Sequence, residues 1–167
     1  MNVYTTDKIR NVCLLGHGGA GKTSLAEAMA YLSGITSRMG KTTDGNTVSD
    51  YGKEEIKRQI SISTSLIPIE WNDCKINILD TPGFFDFVGE AEEAASAADA
   101  AIIVVSGKAG IEVGTERAWD IDLNIKLLDM KNRGSKIPGG VCGMWGACGA
   151  GISAGIFISI ISGLKCE

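Results

Sequence analysis

Gly16-His17-Gly18-Gly19-Ala20-Gly21-Lys22-Thr23 matches the pattern G-x-x-x-x-G-K-[ST] at every fixed position. Ahead of it, residues 11–15 (Asn-Val-Cys-Leu-Leu) form a short apolar run that stops at Gly16 and reads as a buried strand. Behind it, Lys22–Leu32 sets Leu25, Ala28, Met29 and Leu32 at helical spacing, and Ser33-Gly34 ends the helix. A strand, a glycine loop and a helix in that order make a phosphate cradle. The glycines let the backbone curl until successive N–H groups face phosphate oxygens, and the helix adds the partial positive charge of its N-terminus. The candidate phosphate-binding set is therefore Gly16, His17, Gly18, Gly19, Ala20 and Gly21, with Lys22, Thr23 and Ser24 at the helix start. The Lys22 ammonium suits β- and γ-phosphate oxygens, and the Thr23 hydroxyl suits Mg2+, a hard cation that takes oxygen ligands. His17, the single histidine, reads as a surface imidazole rather than a catalytic one.

Residues 40–52 are polar and contain glycine, the pattern of a surface loop. Residues 60–71 alternate through Ile60, Ile62, Thr64 and Leu66 as a strand would, Asn72-Asp73 turns the chain, and residues 75–79 return as the hairpin partner. Asp80-Thr81-Pro82-Gly83 follows at once. A carboxylate at a strand end can hold Mg2+ through water, and a glycine three residues on can offer its N–H to a γ-phosphate. Residues 90–98 are rich in Ala and Glu and hence helical. Residues 101–105 are an apolar, β-branched run expected to form a central strand. Residues 115–130 place Trp119, Leu123, Leu127 and Met130 on one helical face. Strands alternating with helices predict an α/β sheet covered on both sides, with ligands beyond the C-terminal strand ends.

Residues 16–23, the run Lys57-Arg58-Gln59-Ile60-Ser61-Ile62, residues 75–87 (K-I-N-I-L-D-T-P-G-F-F-D-F) and residues 96–113 carry a resemblance. Over roughly residues 8–120 the sequence resembles the GTP-binding domain of translational GTPases, nearest to elongation factor G and its bacterial paralogues. The resemblance implies an α/β P-loop NTPase fold, here an incomplete G domain, with GTP and Mg2+ as ligands. It also implies GTP hydrolysis as the reaction and the ribosome as partner. Lys22 and the loop amides would bind phosphates, and Thr23 would bind Mg2+. Ser61 stands where the family's first switch has a Thr that closes onto Mg2+, and Asp80 and Gly83 would form the second switch, Asp80 on the metal side. Gln59 stands where the family has Gly, and Gly19 replaces a family Asp. Phe84 stands where the family has the His that orients the attacking water. Phe can neither accept nor donate that contact, so Lys22 and Gly83 would act on the phosphate without it and hydrolysis is expected to be slow. The guanine-reading motif N-K-x-D, due soon after Trp119, is absent; Asn124-Ile125-Lys126 does not match it.

The chain of 167 residues is 44% hydrophobic and 22% charged, enough for one domain with a core and unlike a disordered chain. A net charge of −4 and a pI of about 5.1 argue against binding nucleic acid through its own basic surface. Five cysteines, an odd number, do not make a disulfide scaffold, and with no signal-peptide pattern a reducing cytoplasm is the expected setting. Cys13 and Cys74 sit in strand patterns and are expected in the core.

The average hides a break. Residues 1–120 carry a formal charge of −6 and residues 121–167 carry +2. No charged residue lies between Val141 and Leu164, and residues 137–163 are rich in Gly. The division expected is a partial GTP-binding domain over 1–120 and an unrelated, Gly- and Cys-rich, helical segment over 121–167 that resembles an uncharacterised bacterial domain. Three readings of this tail stand side by side: a membrane-spanning helix over 141–164, a metal or redox site on Cys142 and Cys148, or a buried Gly-rich helix taken from another core. The competing functional reading is a chimeric fragment that binds no nucleotide, or a remnant held by a membrane or a partner.

Overall fold

A computed structural model describes residues 3–134. The readings of residues 141–164 and of Cys142 and Cys148 lie outside the described residues. The elements are β1 (Ile9–Leu15), α1 (Lys22–Leu32), α2 (Lys53–Arg58), β2 (Ser65–Trp71), β3 (Cys74–Asp80), α3 (Val88–Ala97), β4 (Ala100–Ile103) and α4 (Val113–Gly134). The sheet has the order β2-β3-β1-β4. β1 runs parallel to β3 and β4, and β2 is antiparallel to β3. Asn72 and Asp73 both take positive φ, the geometry that lets a two-residue hairpin follow the right-handed twist of its strands. Pro68 is tolerated in β2 because β2 is an edge strand.

The core has two faces. On one, Cys13, Leu15, Ala101, Ile103 and Val105 meet Ala91, Ala94 and Ala95 of α3 and Ala118 of α4. On the other, Leu14, Ile67, Ile78, Ile102 and Val104 meet Ala26 and Ala30 of α1. Alanines on the helices let them approach the branched strand residues closely, so the core is formed with few aromatic rings. Each fully buried Leu or Ile contributes about 1.5–3 kcal/mol over leaving it exposed. Cys74 is only partly buried, at the hairpin end of β3, rather than in the core.

Four sequence expectations are corrected here. The strand expected over 60–71 begins only at Ser65, because the amides of Ile62 and Ser63 donate to the buried Glu55 carboxylate instead of to a ladder. The strand expected to be central, β4, is the last strand of the sheet among the described residues, although both its faces are covered. Trp119, placed on the inner face of α4, is half exposed; Thr115, Ala118 and Asp122 are buried, and α4 meets the core shared with the α3 alanines through Ala118 and Ile121. On α1 the deepest positions are Ala26 and Ala30, with Leu25 and Met29 beside them, and Leu32 is exposed.

Among the described residues no helix is long and apolar enough to cross a membrane. Helix α4 runs unbroken through residues 120–122, where the sequence changes character.

Candidate phosphate and metal site

The parallel strands β1 and β3 end side by side, and their C-terminal ends deliver the two motifs to one place. β1 stops because the chain must turn at Gly16, whose φ is 142°. A Cβ at Gly16 would run into the carbonyl oxygen of Val104, whose own N–H donates to Leu15 O at 2.8 Å. Only glycine allows that approach. Gly19 and Gly21 also take positive φ, which curls the loop before α1 begins. At β3, the Thr81 hydroxyl donates to Leu14 O at 2.6 Å and fixes the corner where the second motif leaves the sheet.

Lys22 is 6% exposed, and its ammonium donates to Gly16 O and His17 O, both at 3.0 Å. Burial lowers its pKa from 10.5 to about 8, while Asp80 and Asp50 pull it back up. The Thr23 and Ser61 hydroxyls face each other at 3.2 Å. Asp80 is 1% exposed, and neither carboxylate oxygen is engaged at hydrogen-bonding geometry. Its pKa is pushed from 3.8 up to about 6 by burial, softened by the nearby Ser49 and Thr23 hydroxyls and by Lys22. Those hydroxyls lie close enough to moderate the charge without satisfying it.

A cleft of about 240 Å³ opens over these groups, lined by Gly18, Gly19, Gly21, Lys22, Thr23, Ser24, Thr42, Asp50, Gln59, Ile60, Ser61, Gly83 and Phe84. Of the candidate site residues, Gly18, Gly19, Gly21, Lys22, Thr23, Ser24, Ser61, Gly83 and Phe84 meet on one cleft, and Asp80 lies buried beside Lys22. Gly16 and Ala20 do not line it. Gly16 forms the turn, and Ala20 packs toward the core while its N–H donates to His17 O at 3.2 Å. His17 is not the surface imidazole expected. Its Nδ1 is buried and it packs on Gly114 at the start of α4, with Nε2 3.6 Å from Glu112 Oε1.

Sequence reading missed Asp50, Glu27 and Glu55. Asp50 is 5% exposed and lines the cleft; burial raises its pKa and a hydrogen bond with Ser61 opposes that. Glu27 on α1 accepts from Gly40 N at 2.8 Å and from Val48 N, and so clips the polar loop that carries Asp50. Glu55 accepts from Gly52 N at 2.9 Å, Ile62 N at 3.0 Å and Ser63 N at 3.2 Å, and so fixes the segment that carries Ser61. Gln59, at the end of α2, has φ 57°, the left-handed conformation in which glycine carries no penalty. None of these carboxylates sits in a periodic pattern, so spacing gave no signal for them.

The site's donor set fits a hard divalent cation: Thr23 and Ser61 hydroxyls, with Asp80 and Asp50 carboxylates around them, are all oxygen donors. The glycine loop and the buried ammonium fit phosphate oxygens.

The Elongation factor Tu GTP binding domain family matches residues 7–128. A second match, to a Family of unknown function (DUF5714), covers residues 98–167. The chain is similar to the mitochondrial ribosome-releasing factor 2 of Scheffersomyces stipitis, 40% identical over 80% of this chain and 16% of that protein. It is similar to a crystal structure from Thermus thermophilus, with 43% identity and a TM-score of 0.68 over 70% of this chain and 18% of that one. The fold is shared with translation elongation factor SelB from Methanococcus maripaludis, solved with the GTP analogue GPPNHP, at 21% identity and a TM-score of 0.50 over 72% of this chain and 20% of that one. The chain spans about one sixth of the length of the curated relative it matches. By fold, by its two phosphate motifs and by a match over most of its length, the chain belongs to the elongation factor Tu GTP-binding domain family.

Proposed function

We propose that the chain binds a guanine nucleoside triphosphate with Mg2+ in this cleft and hydrolyses it slowly. The observation that carries the reading is the Lys22 ammonium, buried at the base of a glycine loop. Two carbonyls hold it in place, leaving a donor for an anionic oxygen. Asp80 and Asp50 share the same site, so an anionic ligand there needs a cation between itself and the carboxylates. Thr23 and Ser61 would hold that Mg2+, with Asp80 and Asp50 supporting it; when bound, it neutralises charge on the transferred phosphoryl group.

The chain's own groups then have distinct roles. The amides of residues 18–23 and the Lys22 ammonium would orient the phosphates. The Gly83 N–H would bind the terminal phosphoryl oxygen. Phe84 holds neither a lone pair nor an acidic proton, so no side chain there orients water, and turnover is slow. The preference for guanine rests on family membership, since no N-K-x-D is present in the sequence. Association with the ribosome rests on likeness to longer relatives. The division into a GTP-binding part over 1–120 and a foreign segment over 121–167 belongs to the same proposal, as does a cytoplasmic setting.

A second reading, inherited motifs in a chain that uses no nucleotide, is favoured by the missing base motif and by the match of residues 98–167 to another family. Fluorescent GTP-analogue binding to the full chain in Mg2+, competed by unlabelled GTP and ATP, separates the two. The proposal expects saturable binding, better displaced by GTP than by ATP and lost in Lys22→Ala. Equal displacement by ATP removes the guanine preference, and no binding by the folded chain favours the second reading.

A further inference from the structure

Resting on that nucleotide reading, we infer that Glu112 and His17 are positioning residues: Glu112 fixes the His17 ring against α4, and His17 thereby fixes the main-chain carbonyl that seats Lys22. His17 is the chain's single histidine and stands second in the phosphate loop. Its carbonyl accepts from two donors, Lys22 Nζ at 3.0 Å and Ala20 N at 3.2 Å. Its ring does not line the cleft; it turns toward the start of α4.

The first turn of α4 fits that ring. A Cβ at Gly114 would stand 2.5 Å from His17 Nδ1 and 2.8 Å from its Cα, so only glycine lets the helix touch both the ring and the loop backbone. Glu112 stands just ahead of the helix. Its carbonyl accepts from Thr115 N at 2.8 Å and Glu116 N at 3.2 Å, and its N–H donates to the buried Thr115 hydroxyl at 3.3 Å. These bonds use only the backbone of Glu112. Its carboxylate is left to His17, with Oε1 3.6 Å from Nε2. The adjoining Gly18 meets the Phe84 ring, so the loop is held between that ring and α4.

The contact also sets where the ring carries its proton. His17 Nδ1 is buried with no partner among the described residues. In a neutral imidazole one nitrogen bears the proton and the other a lone pair. A proton on Nδ1 would be an orphaned buried donor, a rare arrangement, and would leave the Nε2 lone pair facing the Glu112 carboxylate. The other tautomer avoids both: Nε2–H faces Glu112 and Nδ1 turns its lone pair to Gly114. Neither side chain lines the cleft, so both act on a nucleotide only through the His17 carbonyl and Lys22.

The test uses the full 167-residue chain, labelled with 15N at its one histidine. A long-range 1H–15N spectrum at about pH 8 tells the two ring nitrogens apart. The wild type is expected to carry the proton on Nε2, and Glu112→Ala to show a mixture. The dissociation constant of fluorescent guanosine diphosphate in Mg2+ is expected to rise about tenfold in Glu112→Ala. Glu112→Gln, which keeps an acceptor oxygen at the same reach, is expected to return it to within about twofold of the wild type. Gly114→Ala, whose methyl displaces the ring, is expected to weaken binding likewise and decides the matter if Glu112→Ala does not fold. A proton on Nδ1 in the wild type, an unchanged constant in the folded Glu112→Ala chain, or no recovery in Glu112→Gln overturns the inference while leaving nucleotide binding intact. No binding by the folded wild type overturns the nucleotide reading and the positioning role with it, and the ring spectrum still decides the contact.

Discussion

Asp80 costs the ligand-free chain stability at neutral pH, and Asp80→Asn should restore much of it. The carboxylate is 1% exposed and burial pushes its pKa from 3.8 to about 6. Between those pH values the folded chain keeps a proton that the unfolded chain has released, so stability falls as pH rises through the window. At 1.36 kcal/mol per pH unit, the full cost above pH 6 is about 3 kcal/mol. Asparagine is neutral and nearly the same shape, and the Ser49 and Thr23 hydroxyls can turn to accept from its amide. It also removes the attraction between Asp80 and Lys22, which offsets part of the gain. The expected result is a variant more stable by about 1–3 kcal/mol at neutral pH, an advantage that shrinks by up to about 2 kcal/mol at pH 4.5. Urea unfolding followed by circular dichroism, in EDTA and without nucleotide, at pH 7.5 and pH 4.5, reads both values. A variant no more stable than the wild type at pH 7.5, or an advantage independent of pH, would refute the reasoning. The same variant should lose Mg2+-dependent nucleotide binding, because the stability is gained by removing a group the site needs.

Three further outcomes follow from single residues. Glu27→Gln leaves either Gly40 N or Val48 N facing an amide donor, and should destabilise the chain by about 1–3 kcal/mol, with faster hydrogen exchange at those two amides than in α1. Gln59→Gly relieves a left-handed residue at the end of α2 and gives up only a surface bond to Thr43 O, so chemical denaturation should show a gain of about 0.5–1 kcal/mol. Lys22 carries a pKa lowered to about 8, so the folded chain binds fewer protons than the unfolded chain between pH 8 and 10.5. Lys22→Met should therefore stabilise the ligand-free chain at pH 7, by a margin that fades as pH rises through that window, measured by the same urea titration.

The phosphate loop was legible in the sequence because its chemistry needs fixed residues at fixed spacing, and the strand and helix around it follow from short apolar runs. The hairpin turn at Asn72-Asp73 was legible for the same local reason. The loop between α1 and β2 was not. Its form depends on Glu27 and Glu55, carboxylates that fold inward and take up backbone amides from residues far along the chain. An inward glutamate in a charged stretch looks like any solvated glutamate. Helix α2 (Lys53–Arg58) was missed because it holds one apolar residue and so has no periodicity. The same loop brings Asp50 into the cleft, so the missed fold feature and the missed site residue have one cause. Phe84 was identified as a departure from the family, but its seat on Gly18 needed the two segments placed in space.

The central claim is that the buried Lys22 and the groups around it still take up a nucleotide phosphate with Mg2+ in this chain. Isothermal titration calorimetry of the full chain with guanosine diphosphate, with and without Mg2+, tests it most directly. One site per chain is expected, weakened when Mg2+ is withheld and absent in Lys22→Ala. A folded wild-type chain that gives no binding heat at any temperature tried, and whose thermal unfolding is not raised by the nucleotide, would contradict it.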